Sequence, residues 1–378
     1  MLKLFLGVCI LTGIKKMNKF FPIVVLLVFL ALPAYPIDEV ILEVEEESFS
    51  RRIVREVIEE PKTIKIEKGF VDDFTLGLVF QGTMDMQFDD DGENLHTKYP
   101  LYFEIWTRTL MEGGRAELKT SFFPAKDTDP FDKKFAAVVG DLYYKRRYSD
   151  KHKGHSFMVG QARVPIGIDS MVGQGSVLLV KRPLISSAFG NTRALGVRMQ
   201  GDFGYVDYDI GGYLSTRNLQ EFGDGLEMVN WVNVKPFHKQ EGSVFKTLKL
   251  GGGVNFGHRE GDYTVAGVGG SWTYKKWLAT FELAHADGSN AVKYNPKKAQ
   301  GLYSTVGYNI NDKWQFLARY DLYDPNTSKS NDVKTQYTAG VNYYVLGQRL
   351  RFSLNYLYEQ NQGKKDMNGV YFMTQVQI

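Results

Sequence analysis

Cysteine is almost missing from this chain of 378 residues, the single one being Cys9. A disulfide framework is thereby excluded, and with it the small stapled domains that depend on one. After residue 34 there is no apolar run approaching the roughly eighteen residues that a membrane-spanning helix needs, so helical spans are excluded from there on. An excess of one charge is lacking too. Lys plus Arg number 46 and Asp plus Glu 43, a net charge of +3, so the basic domain that a nucleic-acid partner demands is absent. Signatures of catalysis are equally scarce. The six histidines (His96, His152, His155, His238, His258 and His285) are scattered, and neither a His-Glu-x-x-His pair nor a Gly-x-Ser-x-Gly elbow occurs. An enzyme is not expected, and no metal or cofactor is implied.

What the chain does have begins with an address. Met17-Asn18-Lys19, the apolar run Phe20 to Leu30 and the small-residue end Ala31-Leu32-Pro33-Ala34 follow the basic, apolar and small zones of a secretory signal peptide. Residues 1–34 are read as that signal, with Met17 the true start and cleavage near Ala34, which removes Cys9 from the mature chain.

Beyond residue 69 the recurring pattern is period two, in stretches of about ten residues broken by polar turns, the mark of strands with one wet and one dry face. In Arg349 to Tyr358, Leu350, Phe352, Leu354, Tyr356 and Tyr358 share one face, while Arg349, Arg351, Ser353 and Asn355 share the other. Lys313 to Tyr323 repeats the arrangement, as does the segment ending at Ile378. About sixteen such strands run from 77–88 to 368–378, an even number that suits an antiparallel barrel with both ends on one side. Connections after even strands are mostly tight, among them Asp202-Phe203-Gly204, Lys275-Lys276 and Gly347-Gln348. Those after odd strands are mostly longer, including Asp89 to Thr97, Asp287 to Lys298 and Asp324 to Val333. Short periplasmic turns with longer outer loops belong to outer-membrane barrels. Trp272, Tyr274, Trp277, Trp314 and Tyr343 lie beside the short turns, where an interfacial aromatic girdle belongs. The expected fold class is all-β: a transmembrane antiparallel barrel over residues 69–378, in the bacterial outer membrane with its lipid as one partner. A secreted soluble β protein is the competing architecture.

Several motifs resemble one family. Gly160-Gln161-Ala162-Arg163-Val164-Pro165-Ile166-Gly167 is similar to the Gly-Gln-Phe-Lys-x-Pro-Phe-Gly signature of the phosphate-selective porin O and P family. Arg193-Ala194-Leu195-Gly196-Val197, Leu317-Ala318-Arg319-Tyr320-Asp321 and Gly340-Val341-Asn342-Tyr343-Tyr344 follow in the family's order, and Lys181-Arg182-Pro183 stands where that family usually has Glu-Arg. The resemblance implies a homotrimeric outer-membrane porin passing small hydrophilic solutes, with anions such as phosphate guided by basic residues. It also implies a third loop, here 164–192, folded into the lumen as a constriction; an outer loop covering a trimer axis is the other reading. The basic residues in or beside that loop, Arg163, Lys181, Arg182, Arg193 and Arg198, are the pore candidates, joined by Arg319 of the Ala-Arg-Tyr-Asp motif. The same register places Arg108, Lys119, Lys249 and Arg351 on the wet face, with Asp85, Glu104, Glu117, Asp209, Glu282 and Asp321. A lumen of mixed charge leaves a non-selective or purely structural barrel open, and an outer-membrane enzyme as a remoter alternative.

Residues 35–68 are read as a periplasmic extension. Ile53, Val54, Val57 and Ile58 among charged neighbours give a short amphipathic helix pattern ended by Pro61, a flexible polar leader being the other reading, and Thr63 to Glu67 looks extended.

Overall fold

The computed structural model describes residues 63–65, 71–89, 95–112, 115–124, 137–148, 154–190, 192–214, 225–290 and 293–378. Residues 1–34, read as a signal peptide, and nearly all of 35–68, read as an extension with a helix pattern, lie outside the described residues.

One sheet of eighteen strands makes up the structure. Two strands are three-residue pieces, Thr63–Lys65 and His96–Lys98. The other sixteen form the barrel wall: β1 Val71–Asp89, β2 Leu101–Met111, β3 Ala116–Pro124, β4 Ala137–Arg147, β5 Ser156–Arg163, β6 Arg193–Asp202, β7 Val206–Leu214, β8 Leu226–Val234, β9 Lys249–Arg259, β10 Gly261–Tyr274, β11 Trp277–Asn290, β12 Lys293–Asn309, β13 Trp314–Asp324, β14 Lys334–Tyr344, β15 Leu350–Asn361 and β16 Met367–Gln377. Every strand pairs antiparallel with the next, and β16 returns to β1, Met367 opposite Asp89 and Gln377 opposite Val79. Ile378 and Leu78 extend that seam with reciprocal backbone hydrogen bonds of 2.8 Å. Closure leaves no sheet edge, which is what a β structure needs in a solvent without hydrogen-bonding partners.

The alternation sorts the side chains as the register requires. Leu118, Phe122, Leu142, Val159, Val197, Ile210, Met228, Val268, Phe281, Leu283, Val306 and Phe316 are exposed on the outside. Their polar neighbours in sequence point inward and are buried, among them Ser121, Asp141, Arg198, Glu227, Glu282, Gln315 and Arg319. Such an apolar belt around a polar interior inverts the arrangement of a soluble protein and matches a wall bathed in lipid.

The strands differ from the sequence reading at a few ends. β1 begins at Val71 rather than near residue 77, its register shifting between Val71 and Asp73. Thr63–Lys65 is a strand in its own right, Ile64 lying opposite Phe74. The connection expected from Asp287 to Lys298 is instead an outward continuation of β11 and β12, with Asn290 opposite Lys293 and a bulge between Asp287 and Ser289. Gly288, at φ 76°, supplies the left-handed residue that the bulge requires, so a turn-like composition sits inside a hairpin.

Among the described residues the one α-helix is α1, Leu184–Phe189, and it belongs to the connection between β5 and β6. That connection, 164–192, positions everything that follows.

Candidate functional site: the lumen and the 164–192 segment

The 164–192 segment runs along the inward side chains of the wall. Along its length, the Ile168 N–H donates to Glu282 on β11 at 2.8 Å, and the carbonyls of Gln174, Gly175 and Val177 accept from Gln81 (3.1 Å), Gln375 (2.8 Å) and Arg351 (2.7 Å). Leu178 accepts from Asn342 at 2.9 Å and the Val180 N–H donates to Asn355 at 2.7 Å. Arg319 donates to the Lys181 carbonyl at 2.7 Å, and Asp321 accepts from the Leu184 N–H at 3.2 Å. An irregular segment has no ladder for its own peptide groups, so buried Gln, Asn, Arg and carboxylate side chains of the wall satisfy them. Here inward polar residues are structural rather than solvated.

Apolar contacts complete the docking. Ile185, Ala188 and Phe189 of α1 pack with Val164 and Ile166 against Tyr213, Val229, Val265, Ala284, Ala286, Ala299 and Tyr303, all buried on the inward face of the wall. The wall makes room with glycine. A methyl group at Gly301 would stand 2.5 Å from Cγ2 of Ile185, and one at Gly340 2.5 Å from Cδ2 of Leu179. These strands are therefore shaped for a protein segment and not for water.

The sequence-selected cations fall into two kinds. Arg182 is not at the lumen surface: its side chain is 7% exposed and ties the two arms of the segment together. One nitrogen donates to the Asp169 carbonyl (2.6 Å) and carboxylate (3.0 Å), and the other to the Val172 carbonyl (2.7 Å). Arg319, 3% exposed, pairs with the fully buried Asp321 at 2.5 Å. Arg193 pairs with Asp141 at 2.7 Å, Arg198 is chelated by Asp209, and Arg163 donates to the Ser170 carbonyl at 3.1 Å. Lys181 alone of the six stands out into the lumen, 42% exposed, while its partner Asp85 at 2.6 Å is 5% exposed. The Tyr371 ring lies under its ammonium, 4.9 Å from the centroid.

On β2 and β3, the strands that follow β1, two inward cations keep part of their side chains exposed. Arg108 and Lys119 are direct cross-strand partners there. Each has its own acid, Arg108 with Glu117 at 3.4 Å and Lys119 with Asp141 at 3.0 Å. Again the cation projects beyond the carboxylate, 46% against 23% and 28% against 9% exposed. The inward register of β2 and β3 identified both residues, but nothing in a linear sequence set them apart from the cations that end up buried. Among the described residues no three metal-ligating side chains gather into a site.

A closed sixteen-stranded wall, apolar outside, polar within and crossed by a segment from between its fifth and sixth strands, defines the class: a porin barrel of the bacterial outer membrane. Residues 246–378 match the family model described as phosphate-selective porin O and P. No curated protein matches the chain. Solved structures share the fold at low identity. The outer membrane channel DcaP of Acinetobacter baumannii is 11% identical with a TM-score of 0.57, over 83% of this chain and 99% of that one. OmpF of Salmonella typhi, in complex with daunomycin, is 12% identical with a TM-score of 0.60, over 80% and 97%. OprB of Pseudomonas putida is 9% identical with a TM-score of 0.58, over 81% and 94%. Of the motifs that resemble the family, those at 317–321 and 340–344 lie within the matched residues and those at 160–167 and 193–197 lie before them.

Proposed function

We propose that this barrel is a passive channel for small hydrophilic solutes that favours anions such as phosphate, working as a homotrimer, with 164–192 as the constriction. The observation that carries the anion preference is the layering of charge. Lys181 beside β1 and Arg108 and Lys119 on β2 and β3 are each more exposed than the carboxylates with which they pair. A permeating ion meets ammonium and guanidinium groups first. Like charges facing each other across a ladder destabilise a sheet, and an anion passing between Arg108 and Lys119 relieves that repulsion. One cation about 6 Å from a monoanion contributes only ~0.7 kcal/mol in water, and screening over about 8 Å removes distant ones. The preference therefore needs these groups to act together where the segment narrows the lumen. Arg163, Arg182, Arg193, Arg198 and Arg319 serve this reading by holding the segment and the wall in place. The homotrimer rests on the family resemblance.

Reversal potentials across a planar bilayer in a potassium chloride gradient test the preference. The native channel is expected to select chloride, and Lys181→Glu with Lys119→Glu to move the potential toward cations. Lys329→Glu, in the outer connection between β13 and β14, serves as the control. A cation-selective native channel, or an equal shift in the control, would leave a general-diffusion barrel. Chemical crosslinking in detergent that stopped at three copies would support the trimer.

A further inference from the structure

The aromatic girdle at the short-turn end has a gap, and a connection fills it. The outward residues nearest that end are Trp272 and Tyr274 on β10, Trp277 on β11, Tyr308 on β12, Trp314 on β13 and Tyr343 on β14. Ring centroids lie 6.2 Å apart for Trp272 and Tyr274, and 4.6 Å apart for both Trp277–Tyr308 and Trp314–Tyr343. On β7, Tyr208 stacks on Phe203 at 5.7 Å. Between these groups β8 and β9 present only Val232, Val234 and Leu250, all exposed.

The 235–248 connection joins those two strands, and it is long for a periplasmic turn. It is a compact series of turns, with backbone bonds from His238 to Lys235 (3.3 Å), Gln240 to Phe237 (2.9 Å), Ser243 to Gln240 (3.2 Å) and Lys246 to Ser243 (3.1 Å). It is anchored to the girdle itself. The Trp272 indole N–H donates to the Val244 carbonyl at 2.7 Å, and the Lys235 N–H donates to the Tyr205 carbonyl at 2.7 Å. The turns bring Phe237 and Phe245 together, 5.8 Å between centroids, with Val244 and Phe245 exposed. Lys239 sits over the Tyr205 ring, 5.0 Å from its centroid, and Lys246 pairs with Glu241 beside them.

We propose that the 235–248 connection is a membrane foot. Phe237, Val244 and Phe245 occupy the headgroup boundary of the periplasm-facing leaflet in place of the missing girdle aromatics, and Lys239 and Lys246 meet the phosphate of an anionic phospholipid. The occupant is lipid because the patch continues the lipid-facing surface of β8 to β10 and hangs from a girdle tryptophan. Aromatic rings with lysines beside them favour that depth, the rings partly immersed and the ammonium groups in the phosphate layer.

The test places a bimane label at position 245 (Phe245→Cys) or 240 (Gln240→Cys), each in a chain carrying Cys9→Ser. The proteins are reconstituted in vesicles of phosphatidylethanolamine and phosphatidylglycerol, and unheated gel mobility confirms the folded barrel. Brominated-acyl lipid is expected to quench the label at 245 several-fold more than that at 240, and aqueous iodide to show the reverse order. In native mass spectra, Lys239→Glu with Lys246→Glu should retain several-fold less phosphatidylglycerol with conductance unchanged. Iodide quenching at 245 equal to that at 240 would overturn the proposal by placing the connection in the periplasm. A label at 245 shielded from both quenchers would overturn it in favour of a protein partner.

Discussion

The two sides of this lumen are built from the same alternating strands and yet do opposite things. From β7 round to β1 the inward positions carry Tyr, Val, Ala, Gly, Gln, Asn and paired charges, and a protein segment lies on them. On β2 and β3 they include Arg108, Glu117 and Lys119, whose side chains stay partly exposed. The difference teaches that period two marks which face is inward, but not whether the inside is solvent. On the covered side each polar group is held by geometry and its loss leaves a buried partner stranded. On the open side water takes over when a group is removed.

The contrast is sharpest at the buried pair. Arg319→Ala leaves Asp321 uncompensated and also frees the Lys181 carbonyl, so it should cost about 3 to 5 kcal/mol, whereas Arg108→Ala on the open side should cost under about 1 kcal/mol. The temperature at which the unheated gel form is lost reads both, and equal losses would erase the distinction between the sides. Next comes the outer face, which both sides share. Val197→Arg, set into lipid, should cost roughly 2 to 4 kcal/mol and lower the yield of folded barrel in membranes. A smaller effect is expected of Gly301→Ala. Its methyl group meets Ile185 and the Leu322 carbonyl, so the helix must shift at roughly 1 to 3 kcal/mol, and open-channel current noise should rise as the segment loosens. Smallest is Lys298→Ala, which breaks an exposed pair with Asp287 at 3.4 Å and should change stability by less than about 1 kcal/mol and leave ion selectivity alone.

The barrel was largely legible in the sequence because a lipid-facing wall allows little freedom. Every one of the strands from β1 to β16 overlaps a segment read from alternation, and the misplaced ends have local causes. Asp72 and Asp73 obscured the start of β1, and Gly288 and Asn290 made the top of β11 look like a loop. The site was less legible. Arginines near 164–192 stood out as pore cations, but a guanidinium has five donors and suits a place crowded with carbonyls, which is where Arg182 and Arg319 went. Lysine has a compact, strongly hydrated charge and stays at the water's edge, as Lys181 and Lys119 do. The register showed that Arg108 and Lys119 point inward. That they face water depends on where a distant segment lies, which no local pattern contains.

The seam between β16 and β1 sets a schedule for assembly. Fifteen pairings of the wall join neighbours in sequence, while the sixteenth brings Gln377 to Val79. The local hairpins close small loops and form early, but the seam must pay the entropy of a loop nearly as long as the barrel. Until it forms, two full-length edges stand open, each able to recruit a strand from any other chain. The closing of the wall therefore depends on one long-range encounter, and shielding those edges until it happens guards against aggregation.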